Sequence, residues 1–163
     1  MTIRLANSAD HDAIWAILEA MIRRGDTYTL PRDMNRDDAL AYWFSAEKET
    51  FVWEENGDVL GTYFLKPNQL GGGAHVANCG YVTSAAAQGR GIAREMCQHS
   101  LERAKDRGFR AMQFNFVVST NERAVNLWAS LGFETVGRLP GAFEHPDKGF
   151  VDAFVMYRNL DKI

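Results

Sequence analysis

The chain has 163 residues, of which 46% are hydrophobic, and its 18 Lys and Arg against 21 Asp and Glu give a formal net charge of −3. That length suits a single domain over residues 1–163 whose core needs no disulfide or metal staple, and the acidic balance argues against a nucleic-acid binder that neutralises phosphates. The two cysteines, Cys79 and Cys97, are too few for a disulfide framework, no apolar run nears the roughly 20 residues that span a bilayer, and no secretory leader opens the chain, so a cytoplasmic protein is expected.

Thr2 to Ala6 is a strand candidate. Ser8 and Asp10 offer caps for a helix whose apolar residues Ile14, Trp15, Ile17, Leu18 and Met21 repeat at helical spacing. Arg23 to Asn35 holds Gly25 and Pro31 and reads as a loop, after which Asn35 caps a second helix with the apolar stripe Ala39, Leu40, Trp43 and Phe44. Two strands follow, Phe51 to Glu54 and Val59 to Lys66, joined by Glu55-Asn56-Gly57-Asp58, whose Asn-Gly pair is a strong hairpin signal. Pro67 to Gly73 is a loop, Ala77 to Thr83 a further strand, and Gly91 to Arg107 a long helix closed by Gly108. Arg110 to Val118 is a strand, and a helix begins after Thr120 or Asn121 and ends at Leu131. Glu134 to Leu139 and Phe150 to Met156 are the last strands. The predicted order is β-α-α-β-β-β-α-β-α-β-β. Hairpin strands followed by crossover helices imply an α/β protein with one mixed sheet and helices on both faces.

The chemistry concentrates between Asn78 and Phe133. At its centre Gln88-Gly89-Arg90-Gly91-Ile92-Ala93 lies between a strand and a helix. Glycines let backbone approach a ligand closely, and the free N–H groups opening a helix can hold a phosphate or pyrophosphate. Arg90 or Arg94 would add charge there, or simply be solvated. The same pattern also suits a plain glycine-rich connection. A dinucleotide fingerprint is excluded because Arg94 occupies the position of the small third residue. A P-loop is excluded because no Gly-Lys-Ser or Gly-Lys-Thr occurs.

Gln88 to Ala93 resembles the Q/R-x-x-G-x-G/A pyrophosphate loop of the GNAT superfamily of N-acetyltransferases. Asn121, Ala124, Leu127, Trp128, Gly132 and Phe133 resemble the second acetyl-CoA motif of that superfamily, in the right order and separation. Thr27-Tyr28, Tyr42-Trp43-Phe44, Gly61 to Asn68, Asn78 with Gly80, and Phe114 to Asn121 are similar to one subgroup, the fungal enzymes that acetylate azetidine-2-carboxylate and other proline analogues; Val151-Asp152-Ala153 also fits.

The resemblance implies a sheet that splays between the strand ending near Thr83 and the strand holding Asn115. Acetyl-CoA is the implied cosubstrate. Its pantetheine arm would pair with backbone of Tyr81, Val82 and Thr83 in the manner of an added strand. Its pyrophosphate would sit on N–H groups from Gln88, Gly89, Arg90, Gly91, Ile92 and Ala93, while Asn121 would bond the pantetheine region from the start of the last helix, where Ala124 and Trp128 are further coenzyme contacts. A backbone N–H near Val82 is the implied oxyanion donor, a contribution typically worth about 3–4 kcal/mol.

The implied reaction is direct attack of a neutral small amine on the thioester. Many relatives carry a carboxylate base where this chain has Asn78, and a carboxamide can only orient the amine. Asn115 resembles the subgroup's contact to the substrate carboxylate, and Tyr28 is read either as part of a substrate lid or as an exposed loop aromatic. Where many relatives have Tyr to protonate the departing thiolate, this chain has Trp128, whose indole steadies the sulfur or simply packs. Cys79 is read as inert, and His75 and His145 as idle loop histidines. An amine of modest pKa, such as an amino acid, fits the missing base, and the subgroup resemblance points to a proline-like one. The alternatives are another small amine or a protein N-terminus, and a non-catalytic acyl-CoA-binding domain. No metal, nucleic acid or membrane is expected as a partner, and a homodimer is a family-level expectation.

Overall fold

A computed structural model describes residues 1–161. The strands are β1 (Thr2–Leu5), β2 (Glu49–Glu55), β3 (Asp58–Pro67), β4 (Val76–Thr83), β5 (Ala111–Val118), β6 (Glu134–His145) and β7 (Gly149–Asn159). The helices are α1 (His11–Arg24), α2 (Arg36–Trp43), α3 (Ile92–Asp106) and α4 (Glu122–Ser130). They follow one another in the predicted order. The strands form one seven-stranded sheet in the spatial order β1-β2-β3-β4-β5-β7-β6. Every neighbouring pair is antiparallel except β4 with β5.

Helices cover both faces, as the alternation of hairpins and crossovers requires. Ile14, Leu18, Met21 and Ile22 of α1 join Leu40 and Trp43 of α2 in a core against Val52, Phe64 and Val82. Met96, Cys97 and Leu101 of α3 pack with Trp128 of α4 against Tyr63, Leu65, Met112 and Phe114 on the other face. The buried Trp43 indole donates to the Thr62 hydroxyl at 3.0 Å, and that hydroxyl donates in turn to the Phe51 carbonyl at 2.8 Å. A polar atom inside this core is thereby satisfied rather than stranded.

Local signals explain most boundaries. Asn35 accepts the Asp38 N–H at 2.9 Å and starts α2 as expected. Asn56 and Gly57 both take positive φ, 53° and 87°, the pairing that a tight two-residue hairpin demands. The start of α1 differs from expectation. A 3-10 turn over Ser8–Asp10 precedes the helix and is capped by Asn7, which accepts from Ala9; Asp10 occupies the N-cap position of α1 as expected, but its carboxylate reaches back to the Asn7 N–H rather than bonding α1. The final hairpin is also longer than its apolar pattern suggested. Strand β6 runs on past Leu139 to His145 through a register shift between Leu139 and Phe143. Most of its residues are exposed, so they carry no inside-outside alternation to read.

Candidate active site

The ladder between β4 and β5 holds only two registered pairs, Val76 with Ala111 and Ala77 with Met112. Beyond them the strands diverge. The Asn78 side chain ends the junction, its Nδ2 donating to the Gln113 carbonyl at 2.9 Å, which takes up an acceptor that a continuing ladder would use. The divergence opens a cavity of about 840 Å³, bounded by β4, β5, the starts of α3 and α4, and the loop between α1 and α2.

Register fixes which backbone groups face this opening. Ser84 donates to Leu60 and Asn68 to Val76, so the even-numbered residues of β4 bond to β3. Adjacent residues of an antiparallel ladder alternate, so the backbone groups of Tyr81 and Thr83 face the opening. Val82 turns its N–H toward Thr62 and lines the cavity with its side chain only. The Val82 N–H itself is consumed by the sheet, and the backbone N–H groups near it that face the opening are those of Tyr81 and Thr83. The Tyr81 carbonyl accepts the Tyr28 hydroxyl at 3.2 Å. The Tyr81 hydroxyl lies on the far face of the sheet, 2.6 Å from the Ser100 oxygen.

At the far end of the cavity stands the glycine-rich turn. Gly89 and Gly91 take φ of 78° and 80°, conformations that side chains resist. The N–H groups of Gln88 and Arg90 turn back onto Ala85 and Ala87. Those of Gly89, Gly91, Ile92 and Ala93 have no backbone partner among the described residues. A Cβ at Gly89 or Gly91 would meet no protein atom within 4 Å, so the cradle is open. Unpaired amides at the positive end of a helix suit a pyrophosphate. The Arg90 side chain does not join them. Its guanidinium lies 2.6 Å from the Glu55 carboxylate on the β2–β3 hairpin, and Arg90 does not line the cavity. Arg94 does, braced by the Ser130 hydroxyl at 2.9 Å. Asn121 caps α4 through Oδ1, which accepts the Ala124 N–H at 3.4 Å and leaves its amide nitrogen free for a ligand.

Apart from Arg90, the residues expected to bind the coenzyme or the substrate all border this cavity: Tyr81, Val82 and Thr83, Gln88 and the glycine turn, Asn121 with Ala124 and Trp128, and Tyr28 with Asn78 and Asn115. Asn78 is nearly buried, and Asn115 is exposed. The two asparagines are not equivalent. The Asn78 Oδ1 has no partner among the described residues, whereas both ends of Asn115 are engaged. Asn115 accepts from Gln113 at 2.8 Å and donates to Asn68 at 2.7 Å. Trp128 packs against Tyr81 and Phe114, both at centroid separations of 5.1 Å. Cys79 is buried and its thiol is held well above the ordinary range by that burial, which makes it a poor nucleophile. His75 and His145 lie outside the cavity wall.

The cavity also gathers residues that no motif announced. Asp26 lines it with a buried Oδ1 that has no hydrogen-bond partner among the described residues and sits 3.5 Å from the Arg24 Nε. Lys66, Tyr42 and Phe64 border it from the α1–α2 face, and Arg123 from α4. The only sequence hint for Asp26 was its place in a long loop beside Tyr28, since loops held by a rigid scaffold often carry function. Lys66 sits at the end of a strand and gave no signal.

Comparison with known proteins agrees with this geometry. The family model for the acetyltransferase (GNAT) family matches residues 15–133. N-acetyltransferase aca1 of Schizosaccharomyces pombe is 29% identical over 158 residues, covering 82% of this chain and 72% of that protein. The L-methionine sulfoximine/L-methionine sulfone acetyltransferase of Salmonella typhimurium is 28% identical over 145 residues, covering 86% of this chain and 84% of that protein. Among solved structures, a GCN5-related N-acetyltransferase from Kribbella flavida superposes with a TM-score of 0.93 at 40% identity, over 97% of this chain and 96% of the other. YncA of Salmonella typhimurium, solved with its cofactor acetyl-CoA, superposes with a TM-score of 0.86 at 26% identity, over 99% of this chain and 94% of the other. A split sheet, an open amide cradle before α3 and these likenesses converge, and the chain belongs to the GNAT acetyltransferase family as an N-acetyltransferase that uses acetyl-CoA.

Proposed function

We propose that the acceptor is the amine of a small amino acid, of the proline-like kind that the sequence resemblance suggests, and that donor and acceptor meet where β4 and β5 part. The observation that carries this reading is the two-pair ladder, which leaves the edge of β4 unpaired between the amide cradle and the Asn78 side chain. In it the pyrophosphate rests on the N–H groups of Gly89, Gly91, Ile92 and Ala93. The pantetheine arm pairs with the free backbone edge of Tyr81 and Thr83, and the Asn121 amide holds it from α4. The thioester supplies an activated acetyl group. The protein supplies alignment, which contributes up to about 7–11 kcal/mol when two reactants are well placed.

Asn78 receives a hydrogen bond from the attacking amine on its Oδ1, because its Nδ2 is already committed to Gln113. Asn115 stands on the opposite wall and shapes the pocket through its bonds to Gln113 and Asn68. The Trp128 indole packs beside Tyr81 and closes the end near the sulfur. Amino-acid specificity is supported by the relative from Salmonella typhimurium that acetylates methionine sulfoximine and methionine sulfone.

The test is release of CoA thiol with azetidine-2-carboxylate, proline and a panel of primary amino acids, set against peptides with free N-termini. Turnover concentrated among amino acids is expected. Acetylation of peptides with none of amino acids would overturn the reading.

A further inference from the structure

We propose that Lys66, standing beside Asn78 across β3 and β4, holds the carboxylate of the acceptor, so that the site takes a free α-amino acid rather than a peptide N-terminus or a simple amine. This rests on the amino-acid reading above and narrows it. Lys66 and Asn78 are Cα partners in the β3–β4 register. Directly opposed residues of an antiparallel pair project from the same face with Cβ atoms about 4.5–5.5 Å apart. Both residues line the cavity.

Their chemistry is complementary to a zwitterion. Asn78 has its donor spent on the Gln113 carbonyl and keeps an unpaired acceptor, Oδ1. An ammonium side chain such as that of Lys66 has donors and no acceptor. Lys66 makes no hydrogen bond or ion pair among the described residues. An acceptor and a cation set side by side match an amine and a carboxylate on one carbon. A peptide N-terminus offers the amine but only a neutral carbonyl beside it.

The other cations of the cavity wall are committed or placed elsewhere. Arg24 faces Asp26 at 3.5 Å, Arg94 is braced by Ser130, and Arg123 rises from α4. A second lysine reinforces the seat. The Lys48 ammonium is tethered to the Tyr42 carbonyl and lies 3.5 Å from the centroid of the Tyr42 ring and 4.4 Å from that of Phe64. Both rings border the cavity. Burial, and then the nearby charge of Lys66, push the Lys48 pKa down to about 8, against the opposing pull of Glu47. Two cations that repel one another gain most from an anion brought between them.

The experiment compares each amino acid with its own carboxamide, using wild-type protein, Lys66→Ala and Lys66→Arg. Wild-type protein is expected to prefer the free acid. Lys66→Ala raises KM for the acid about 10–100-fold, the range of a lost charge-assisted hydrogen bond, and leaves KM for the carboxamide within about twofold. Lys66→Arg recovers much of the loss, and an unchanged KM for acetyl-CoA reports an intact fold. Equal effects on acid and carboxamide, no effect on either, or wild-type indifference between them would overturn the assignment of Lys66 while leaving amino-acid acetylation standing. Wild-type protein that acetylates no amino acid would instead remove the amino-acid reading, and this inference with it.

Discussion

The Tyr28 hydroxyl bonds the Tyr81 carbonyl, 53 positions away in the chain, and so ties the loop after α1 to the free edge of β4. The contact is possible because residue 80 is glycine. A Cβ there would lie 2.7 Å from Cε1 of Phe64 and 2.8 Å from the Tyr28 hydroxyl. Gly80→Ala must therefore push one or both rings out of the acceptor end. Its kcat/KM for the amine should fall about tenfold or more, by contrast with Tyr28→Phe, which loses one hydrogen bond worth about 1 kcal/mol. Steady-state kinetics with both variants, with coenzyme affinity as the internal control, would check the order.

Asn78 has two jobs that can be separated. Asn78→Ala leaves the Gln113 carbonyl without its donor, at a cost of about 1 kcal/mol for a bond that is only partly buried. Asn78→Asp keeps the shape but points a carboxylate at that carbonyl, so it should be the less stable of the two. Thermal midpoints of the pair decide the matter, since a more stable Asp variant would mean that the amide faces the other way.

Gly91 isolates the ligand's own needs. At φ 80° an Ala costs about 1–2 kcal/mol of backbone strain, yet its Cβ touches no protein atom within 4 Å. Gly91→Ala should lower the melting temperature modestly and weaken CoA binding by more than about tenfold. Calorimetric titration alongside thermal melts would separate the two effects, and undiminished affinity would argue against pyrophosphate on this turn.

His99 sets a pH signature of folding. Its ring nitrogen lies 2.6 Å from the Tyr63 hydroxyl, and burial lowers its pKa below the ordinary 6.5. The native state then resists a proton that the unfolded chain accepts. The associated stability is complete above about pH 6.5 and drains away as pH falls through that value toward the folded pKa. Urea midpoints between roughly pH 8 and pH 5 should drop less for His99→Gln than for wild-type protein. Parallel slopes would count against it.

Much of this architecture was legible because short-range physics wrote it. The Asn56-Gly57 turn, the Asn35 cap and the apolar stripe of α1 each depend on neighbours within a few positions. The glycine turn before α3 was readable for the same reason. What stayed hidden depends on partners far along the chain. Arg90 is taken by Glu55 from a hairpin 35 positions earlier, which no local pattern announces. Whether Val82 or its neighbours face the opening is a question of parity against β3, and one step of register reverses the answer. Asp26 and Lys66 reach the cavity only because the loop after α1 and the end of β3 fold over the same gap.

The parting of β4 and β5 also has a mechanical meaning. The sheet is two leaves, β1–β4 and β5–β7, whose shared edge holds two registered pairs, the Arg110 N–H on the His75 carbonyl, and the side-chain bonds of Asn78 to Gln113 and Asn115 to Asn68. Were the pantetheine arm to lie along the exposed edge as proposed above, the coenzyme would become the missing thread between them. Loading should therefore stiffen the whole molecule by mass action. Slowed hydrogen exchange at the Tyr81 and Thr83 amides would mark where the seam has closed.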